Sequence, residues 1–440
     1  MTERRHYRLD STVQVHATVM IGGSPLKLFR LTEAGTAVVF RIAAGDAVAE
    51  SALTTALLDA GAIHPGHATP HHTSADVTVV VPTFGAAEHA PVGAIVVDDG
   101  SRPPVQGATV RLTTNRGPGA ARNRGLELVT TPLVAFVDSD VELDEGWLDP
   151  LLAHFVDERV ALVAPRVRTR RDDTALGRYE HDHSPLDLGP EPGRARAGTR
   201  VGYVPSAAIV CRTEAIRGVG GFDTSLRYGE DVDLVWRLGD AGWTCRYEPD
   251  SVVHHARRPD AMSWIRQRVG YGSSAAPLSM RHRGALAPLR VSGWSITSWA
   301  LAAIGRPMFG AAVGAGSAIA LIKKLPDVPP RTSLRLARLG NLHAGDQIGS
   351  AVRRVWWPLL AVAAWRSKSA RRVLLAAAIG SRHPLQLADD AAYSVGVWKG
   401  ILAERTLGPL IPDISSWPGR SPSTPSAADP RCRRSPRTPR

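Results

Sequence analysis

Two apolar runs of this chain end in paired carboxylates. AIVVDDGS, residues 94–101, closes on Asp98 and Asp99, and AFVDSDV, residues 135–141, closes on Asp138 and Asp140. Two carboxylates one residue apart, just past a buried strand, can share a hard divalent cation such as Mg²⁺ or Mn²⁺, which in turn binds the oxygens of a diphosphate. That chemistry suits a nucleotide-sugar donor. An Asp-x-Asp pair alone is also what many polar turns carry after a strand. Its company is more telling: NRGPGAARNRG, residues 115–125, has glycines that allow close backbone approach and arginines, Arg116, Arg122 and Arg124, that can offset phosphate charge. A third acidic pair, Glu230 and Asp231, opens GEDVDLVWRL, where the dipole at a helix start is by itself a sufficient structural reason for either residue.

The elements that must position these groups alternate in type from residue 76 to about 258. VTVVVPTF, AIVVDDGS, ATVRLTTN, LVAFVDSDV and ALVAPRVR are predicted strands, and AARNRGLELVT and WLDPLLAHFV are predicted helices. This is the pattern of a doubly wound α/β sheet, whose ligands sit beyond the carboxyl ends of the strands, where the polar residues gather. One feature departs from it. Only nine residues, Gly85 to Gly93, join the first two strands, whereas a parallel crossover normally needs a dozen or more and a helix. Nine extended residues still span the distance, at about 3.3 Å each, so adjacent parallel strands are expected with one face of the sheet less well covered.

Outside this stretch the character changes. Residues 1–66 carry short alternating strands and helix-like segments, predicting a small winged-helix-like module, and 67–75 read as a linker whose His67, His71 and His72 lack carboxylate or cysteine partners at metal spacing. The start, MTERRHYRLD, has no apolar run behind it, so neither a secretory signal nor a targeting helix is expected. Three scattered cysteines, Cys211, Cys245 and Cys432, suit a reducing compartment. From residue 291 to 416 the chain is helical and partly apolar. Its segment 293–322 contains a single charge, Arg306, and predicts a membrane span, an interfacial helix or a soluble helical hairpin. Residues 417–440 read as a disordered basic tail. The net charge of +12 invites a nucleic-acid reading, but no aromatic-plus-basic strand motif of a nucleic-acid module is present, and the arginines flank apolar segments, as they do at an anionic membrane surface.

VxVVVPT, VDDGS, NxGxxxARNxG, DSD and GGFD followed by GEDVDLxWRL occur in this order between Val77 and His255. That series resembles the family 2 glycosyltransferases, enzymes of the nucleotide-sugar-binding (GT-A type) α/β fold. The resemblance implies a UDP-sugar donor and a divalent metal, Mn or Mg. Donor contacts would come from Pro82 and Thr83 at the first strand end, and from Asp98 or Asp99 at the uracil or ribose. Arg122 or Asn123 would lie beside the diphosphate. Asp138 and Asp140 would bind ribose and metal, with His254 or His255 as a further ligand. Asp231 becomes the catalytic base beside Glu230, deprotonating an acceptor hydroxyl as it attacks the anomeric carbon with inversion. The N-terminal unit, with MIGGSPLKLFRLTEAG, is similar to peptide-recognition domains of modified-peptide biosynthesis, and the combination resembles the glycosyltransferases of the mycofactocin system. This implies a hexosyltransferase, using UDP-glucose and a peptide-derived redox-cofactor precursor, at the cytoplasmic side of the cell membrane. Two other readings stand beside it. One is a membrane polysaccharide or lipid-linked sugar transferase, although WIRQRVGYG at 264–272 lacks the Trp of the Gln-x-x-Arg-Trp motif of processive enzymes. The other is an inactive binding or scaffold protein, disabled by the missing helix after Phe84.

Overall fold

Valine-rich runs without alternating polarity belong in strands buried on both faces, and that is where they lie. Leu133–Val137 is buried along its whole length at the centre of a nine-stranded sheet. The computed structural model describes residues 4–66, 68–85, 89–256 and 260–416. Across the sheet the order is Val110–Arg111, Ile95–Asp98, Val77–Thr83, Leu133–Val137, Ala208–Arg212, Val160–Thr169, Thr244–His255 and Val141–Leu143. Gly193–Ala195 pairs with the first half of Thr244–His255. The first four strands run parallel, Ala208–Arg212 is antiparallel to both its neighbours, and Val141–Leu143 pairs antiparallel with the end of Thr244–His255. The sheet is therefore mixed α/β, and the ends of Val77–Thr83, Ile95–Asp98 and Leu133–Val137 all point one way.

The short link holds two adjacent parallel strands in register, with Val80 opposite Ile95 and Thr83 opposite Asp98. Among its described residues, 84–85 and 89–94, no helix is present, and Ala86 to Glu88 lie outside the described residues. One face of this strand pair is covered by the helix Pro118–Leu126, against which Val80 and Val97 are fully buried. On the other face Val79, like Trp147, packs against the core cluster that contains Leu133 and Ala135, and Val81 is buried. The margin expected to be bare is real but small: Val96 is half-buried, and Phe84 is 63% exposed. The helix predicted over 147–156 shortens to one α-turn, Asp149–Leu152, continued by the 3₁₀ turn Ala153–Val156.

The N-terminal module has a three-stranded antiparallel sheet, Gln14–His16, Val19–Gly22 and Lys27–Arg30, with helices Glu33–Ala43 and Ala52–Asp59. Both helices start as their sequence dictates. Thr32 Oγ1 accepts the Gly35 N–H at 3.1 Å, and Ser51 Oγ accepts that of Thr54 at 3.2 Å. Met20, Val39, Leu57 and Ile63 form its own core. Charged contacts join it to the sheet domain. Asp10 Oδ2 accepts from Arg200 Nη2 at 2.8 Å and lies 2.8 Å from His64 Nε2, while Arg194 Nη1 donates to Asp59 at 2.6 Å.

Two compact units emerge, residues 1–286 with 383–409, and residues 287–382 with 410–440. The boundary expected at 290 thus falls four residues earlier, and the helix Pro384–Glu404, expected with the apolar region, returns to the first unit. Glycines explain its attachment. A Cβ at Gly272 would sit 2.0 Å from the Tyr393 carbonyl, and one at Gly396 would sit 2.1 Å from that of Val269, so the helices Ala261–Ser273 and Pro384–Glu404 cross backbone to backbone. In the second unit the apolar segment 293–322 is not one span. It breaks at Gly305 and Pro307 into Gly293–Ala303 and Pro307–Lys324, a hairpin in which Ser298 Oγ donates to the Gly310 carbonyl at 2.7 Å. Among the described residues no helix is long and apolar enough to cross a membrane, which removes the spanning reading for them. The tail 417–440 and His67 lie outside the described residues.

Gly125 sets how closely Pro118–Leu126 approaches the sheet: a Cβ there would lie 2.3 Å from Val80 Cγ1 and 3.3 Å from Val97 Cγ2. Gly125→Ala overpacks this contact and is expected to destabilise the domain by about 1–3 kcal/mol, measured as a lower midpoint of urea unfolding.

Candidate active site

The end of the strand Ile95–Asp98 turns on carboxylates that face inward. Asp98 is fully buried and accepts the Ser101 N–H at 2.8 Å and the Val105 N–H at 3.2 Å, with Arg111 Nε 3.2 Å away. Burial alone would raise its carboxyl, but the bonds from Ser101 and Val105 and the charge of Arg111 outweigh it and hold the group below the usual range. Asp99 accepts the N–H groups of Arg116 and Gly117, both at 2.8 Å. Gly100 between them has φ +78°, and a Cβ there would lie 2.6 Å from the Thr114 carbonyl carbon, so only glycine lets VDDGS and NRGPG pack loop on loop. Thr83 and Pro82 are buried behind, with the Asp99 N–H donating to the Thr83 carbonyl at 2.8 Å.

Arg122 is the hub. It is 2% exposed, and its Nη1 donates to Glu230 Oε1 at 2.9 Å while Nη2 donates to Asp138 Oδ1 at 2.5 Å. Its guanidinium also lies 5.3 Å from the Phe222 ring centre. Sequence spacing suggested a phosphate contact for this residue; its geometry is that of a counter-ion joining three loops. Asn123 beside it clamps the GGFD loop, accepting the Phe222 N–H and donating to the Phe222 carbonyl, each at 2.8 Å. The side-chain amide of Asn123 is thereby engaged by the loop through both its oxygen and its nitrogen.

Asp138 sits where the strand Leu133–Val137 ends, its N–H donating to the Ala207 carbonyl at 2.8 Å. Burial raises its carboxyl and Asp140 adds to the rise, with Arg122 opposing. Asp140 Oδ2 lies 3.3 Å from His255 Nε2, and His254, the other histidine the resemblance offers, lies instead 3.3 Å from Asp144. Consecutive strand residues face opposite ways, so only one of the pair can reach the DSD turn. Among the described residues no group of three His, Cys, Asp or Glu forms a ready metal cage. The donor set, a carboxylate oxygen and an imidazole nitrogen side by side with Asp138 one residue removed, fits a hard cation that takes one or two protein ligands and completes its shell with phosphate oxygens and water.

Glu230 and Asp231 open the helix Glu230–Asp240 after Gly229, which is left-handed at φ +78°. Glu230 is buried against Arg122. Asp231, half-buried, accepts the Ser206 N–H at 3.2 Å through Oδ2 and the Val232 N–H at 2.8 Å through Oδ1. Burial raises both carboxyls. Glu230, which also feels the Asp231 charge, is pushed up to about 7, with Arg122 opposing. The two acids are thus sorted by geometry: one is tied to a guanidinium, and the other is held by two backbone N–H groups with lone pairs to spare.

Asp98, Asp99, Arg122, Asn123, Asp138 and Asp140 fall inside a stretch that a family signature matches, and Glu230, Asp231 and His255 lie beyond it. The Glycosyl transferase family 2 signature matches residues 86–217. The pre-mycofactocin glycosyltransferase of Mycobacterium tuberculosis is 39% identical over 92% of this chain and 97% of its own length. The chain belongs to glycosyltransferase family 2. A shorter match, 36% identical over 34% of this chain and 26% of the relative, is to a human protein described as probable polypeptide N-acetylgalactosaminyltransferase 8. Among solved structures, the mannosyltransferase PcManGT of Pyrobaculum calidifontis, in complex with GDP-Man and Mn²⁺, overlays 75% of this chain and 88% of its own at 16% identity and a TM-score of 0.42.

Sequence reasoning about this glycosyltransferase missed two contributors. Ser206 gives its N–H to Asp231, and its carbonyl accepts from Arg122 Nη2 at 3.5 Å; Phe222 gives its ring to Arg122. Only the small residues of VPSAA hinted at the first. Arg122→Met removes the counter-charge of two carboxylates, and breaking such a buried pair costs about 3–5 kcal/mol. The carboxyls left behind have raised pKa values, so the deficit should be largest at pH 8 and shrink as acid neutralises them toward pH 5. Urea unfolding at the two pH values measures it.

Proposed function

We propose that this family 2 glycosyltransferase moves a hexose from a UDP-sugar, UDP-glucose by our reading, onto a peptide-derived precursor in mycofactocin biosynthesis, with inversion at the anomeric carbon. The observation that carries this reading is the near full-length identity to the pre-mycofactocin glycosyltransferase, module included. The arrangement around Asp231 supports the chemistry. An acceptor hydroxyl placed at its carboxylate loses its proton to Asp231 as the oxygen forms a bond to C1 of the sugar, and the bond from C1 to the diphosphate oxygen breaks on the opposite face. The two N–H groups of Ser206 and Val232 fix the carboxylate in place for that transfer. Glu230 takes no proton in this scheme; through Arg122 it positions the helix start and the DSD turn.

Asp140 and His255, with Asp138, would hold a divalent cation, which supplies charge neutralisation to the leaving diphosphate. Asp98, Asp99, Pro82 and Thr83 shape the loop pair that receives the nucleoside. The module of residues 4–66 carries no acidic cluster comparable to the one in the sheet domain, and its role in this scheme is to engage the peptide part of the acceptor.

The decisive experiment is turnover of UDP-glucose by purified protein with a peptide-derived acceptor. Asp231→Asn should lower turnover by about 10²–10⁴ while leaving calorimetric UDP-sugar affinity nearly unchanged. Near wild-type turnover would remove Asp231 as the base. The base works only when ionised, and burial raises its carboxyl, so activity should fall, as pH falls, at values above the ordinary aspartate range. Glu230→Gln deletes the adjacent negative charge, and should move that acid limb to lower pH. His255→Ala should weaken Mn²⁺-dependent UDP binding more than His254→Ala does.

A further inference from the structure

Beside the carboxylate cluster a smaller space opens that the transfer scheme does not use. It is a cavity of about 10 Å³, room for one water-sized group. Thr169 and His255, paired across the strands Val160–Thr169 and Thr244–His255, form one side of it, and Glu180, Ser184, Arg268 and Tyr271 line the rest. Thr169 is 4% exposed, yet among the described residues its Oγ1 has no hydrogen-bond partner. Ser184, also buried, accepts the Leu186 N–H at 3.3 Å on its hydroxyl and gives its own proton to no described acceptor. Glu180 is buried with its Oε1 engaged twice, by Trp264 Nε1 at 2.8 Å and by Arg268 Nη2, while its Oε2 has no partner among the described residues. Polar groups shut away from water without partners are costly, so three oxygens with lone pairs to spare at one cavity mark a place for a ligand.

We propose that this cavity holds a primary ammonium group and, resting on the reading of a peptide-derived acceptor given above, that this group is the acceptor's amine. Number and charge both select it. A primary ammonium brings three N–H donors and no acceptor, matching the oxygens of Thr169, Ser184 and Glu180, whereas a neutral hydroxyl brings one proton. Arg268 does not call for an anion, because each of its nitrogens already has an acceptor: Asp389 Oδ1 for Nε at 2.9 Å, Gln267 Oε1 for Nη1 at 3.0 Å, and Glu180 Oε1 for Nη2. One guanidinium thus faces two carboxylates, which leaves a negative charge in excess, and hydrogen bonds between a cation and a carboxylate are the strong ones. The placement suits an acceptor. His255 on the cavity wall lies 3.3 Å from Asp140 through its Nε2, and the Tyr271 ring centre is 6.3 Å from that of Tyr228, three residues ahead of Asp231. An amine anchored here borders both the DSD turn and the loop that leads to the base.

The test titrates the full chain with n-butylammonium chloride, n-pentanol and potassium chloride, followed by ligand-observed NMR. Butylammonium is expected to bind at least about tenfold tighter than pentanol, the effect of one hydrogen bond to a charged group. Thr169→Val keeps the side chain's shape and breaks no hydrogen bond within the protein, so it should leave the urea midpoint unchanged and still weaken butylammonium at least about tenfold. Glu180→Gln, which keeps one oxygen for Trp264 and Arg268, should remove the preference for butylammonium over pentanol. With a peptide-derived acceptor, acetylating its amine or introducing Thr169→Val should raise KM at least about tenfold and change kcat less than about twofold. Equal binding of butylammonium and pentanol marks a site for water alone and overturns the proposal. So does potassium that binds as tightly as butylammonium, or an N-acetylated acceptor with an unchanged KM. Failure of butylammonium to bind refutes the cavity assignment and leaves the functional reading standing. Butylammonium bound through Thr169 by an enzyme that transfers sugar to no peptide-derived acceptor refutes the functional reading instead, and with it the acceptor's amine as the occupant.

Discussion

A buried guanidinium holds the catalytic end of this protein together. Arg122 lies in a water-poor pocket, where an unpaired charge would be prohibitive and a paired one is tolerated only with good geometry. Its partners come from far along the chain, Asp138 from the end of one strand and Glu230 from the start of a helix. Because each carboxylate is also buried or half-buried, none of the three groups can move without exposing another to an uncompensated environment. The next residue repeats the logic with neutral groups: Asn123 binds both polar atoms of the Phe222 backbone, and Gly221, at φ +73°, brings that backbone close enough. One short helix, Pro118–Leu126, thus fixes the relative positions of the Asp138 turn and the helix Glu230–Asp240.

The same economy explains how the shortened link is tolerated. The strand ends are stitched to one another and do not rely on a crossover helix: the Asp99 N–H binds the Thr83 carbonyl, and the Gly85 N–H binds Ser101 Oγ at 2.9 Å. Leu112 adds its N–H to the Asp98 carbonyl at 2.8 Å, tying in the third strand. Buried carboxylates that accept backbone N–H groups rigidify a turn as effectively as packing does. A crossover helix there would cover sheet surface; the loops at the strand ends draw their order from Asp98, Asp99 and Gly100.

Much of this was legible in the sequence, and what was not has identifiable causes. The strands follow from apolar runs, and the loops from glycines and carboxylates at their ends, both local signals. Partners were not legible, since nothing local in NRGPGAARNRG says that Arg122 meets an acid 108 residues away. The choice between His254 and His255 turned on strand register, which is set by the pairing of Val141 with His255 and by an irregularity after Pro165; a one-residue shift reverses every side chain. The return of Pro384–Glu404 to the catalytic unit was written in Gly396 and Gly400, but as packing partners of another helix, which hydropathy does not register. The break of segment 293–322 was the converse, a local signal in Gly305-Arg306-Pro307 that mean hydropathy obscures.

Charge accounts for the remaining logic of the site. Asp138 and Glu230 bind the buried cation Arg122, Asp231 feels its charge, and Asp140 lies close enough to Asp138 to raise its carboxyl, with His255 against Asp140. Two of these carboxylates already engage the guanidinium, so the cluster as it stands is net negative and would repel a diphosphate approaching through a medium of low dielectric. Protonation offers partial relief, and the raised pKa values of Glu230, Asp231 and Asp138 express that tendency. A protonated base, however, cannot take a proton from an acceptor. A divalent cation held by Asp140 and His255 would resolve the conflict. It would supply the positive charge that the donor's phosphates need, and by making the local potential more positive it would favour the ionised form of Asp231. Donor binding and the ionisation of Asp231 would then be linked through one electrostatic balance, with Arg122 holding Asp138 and Glu230 in place.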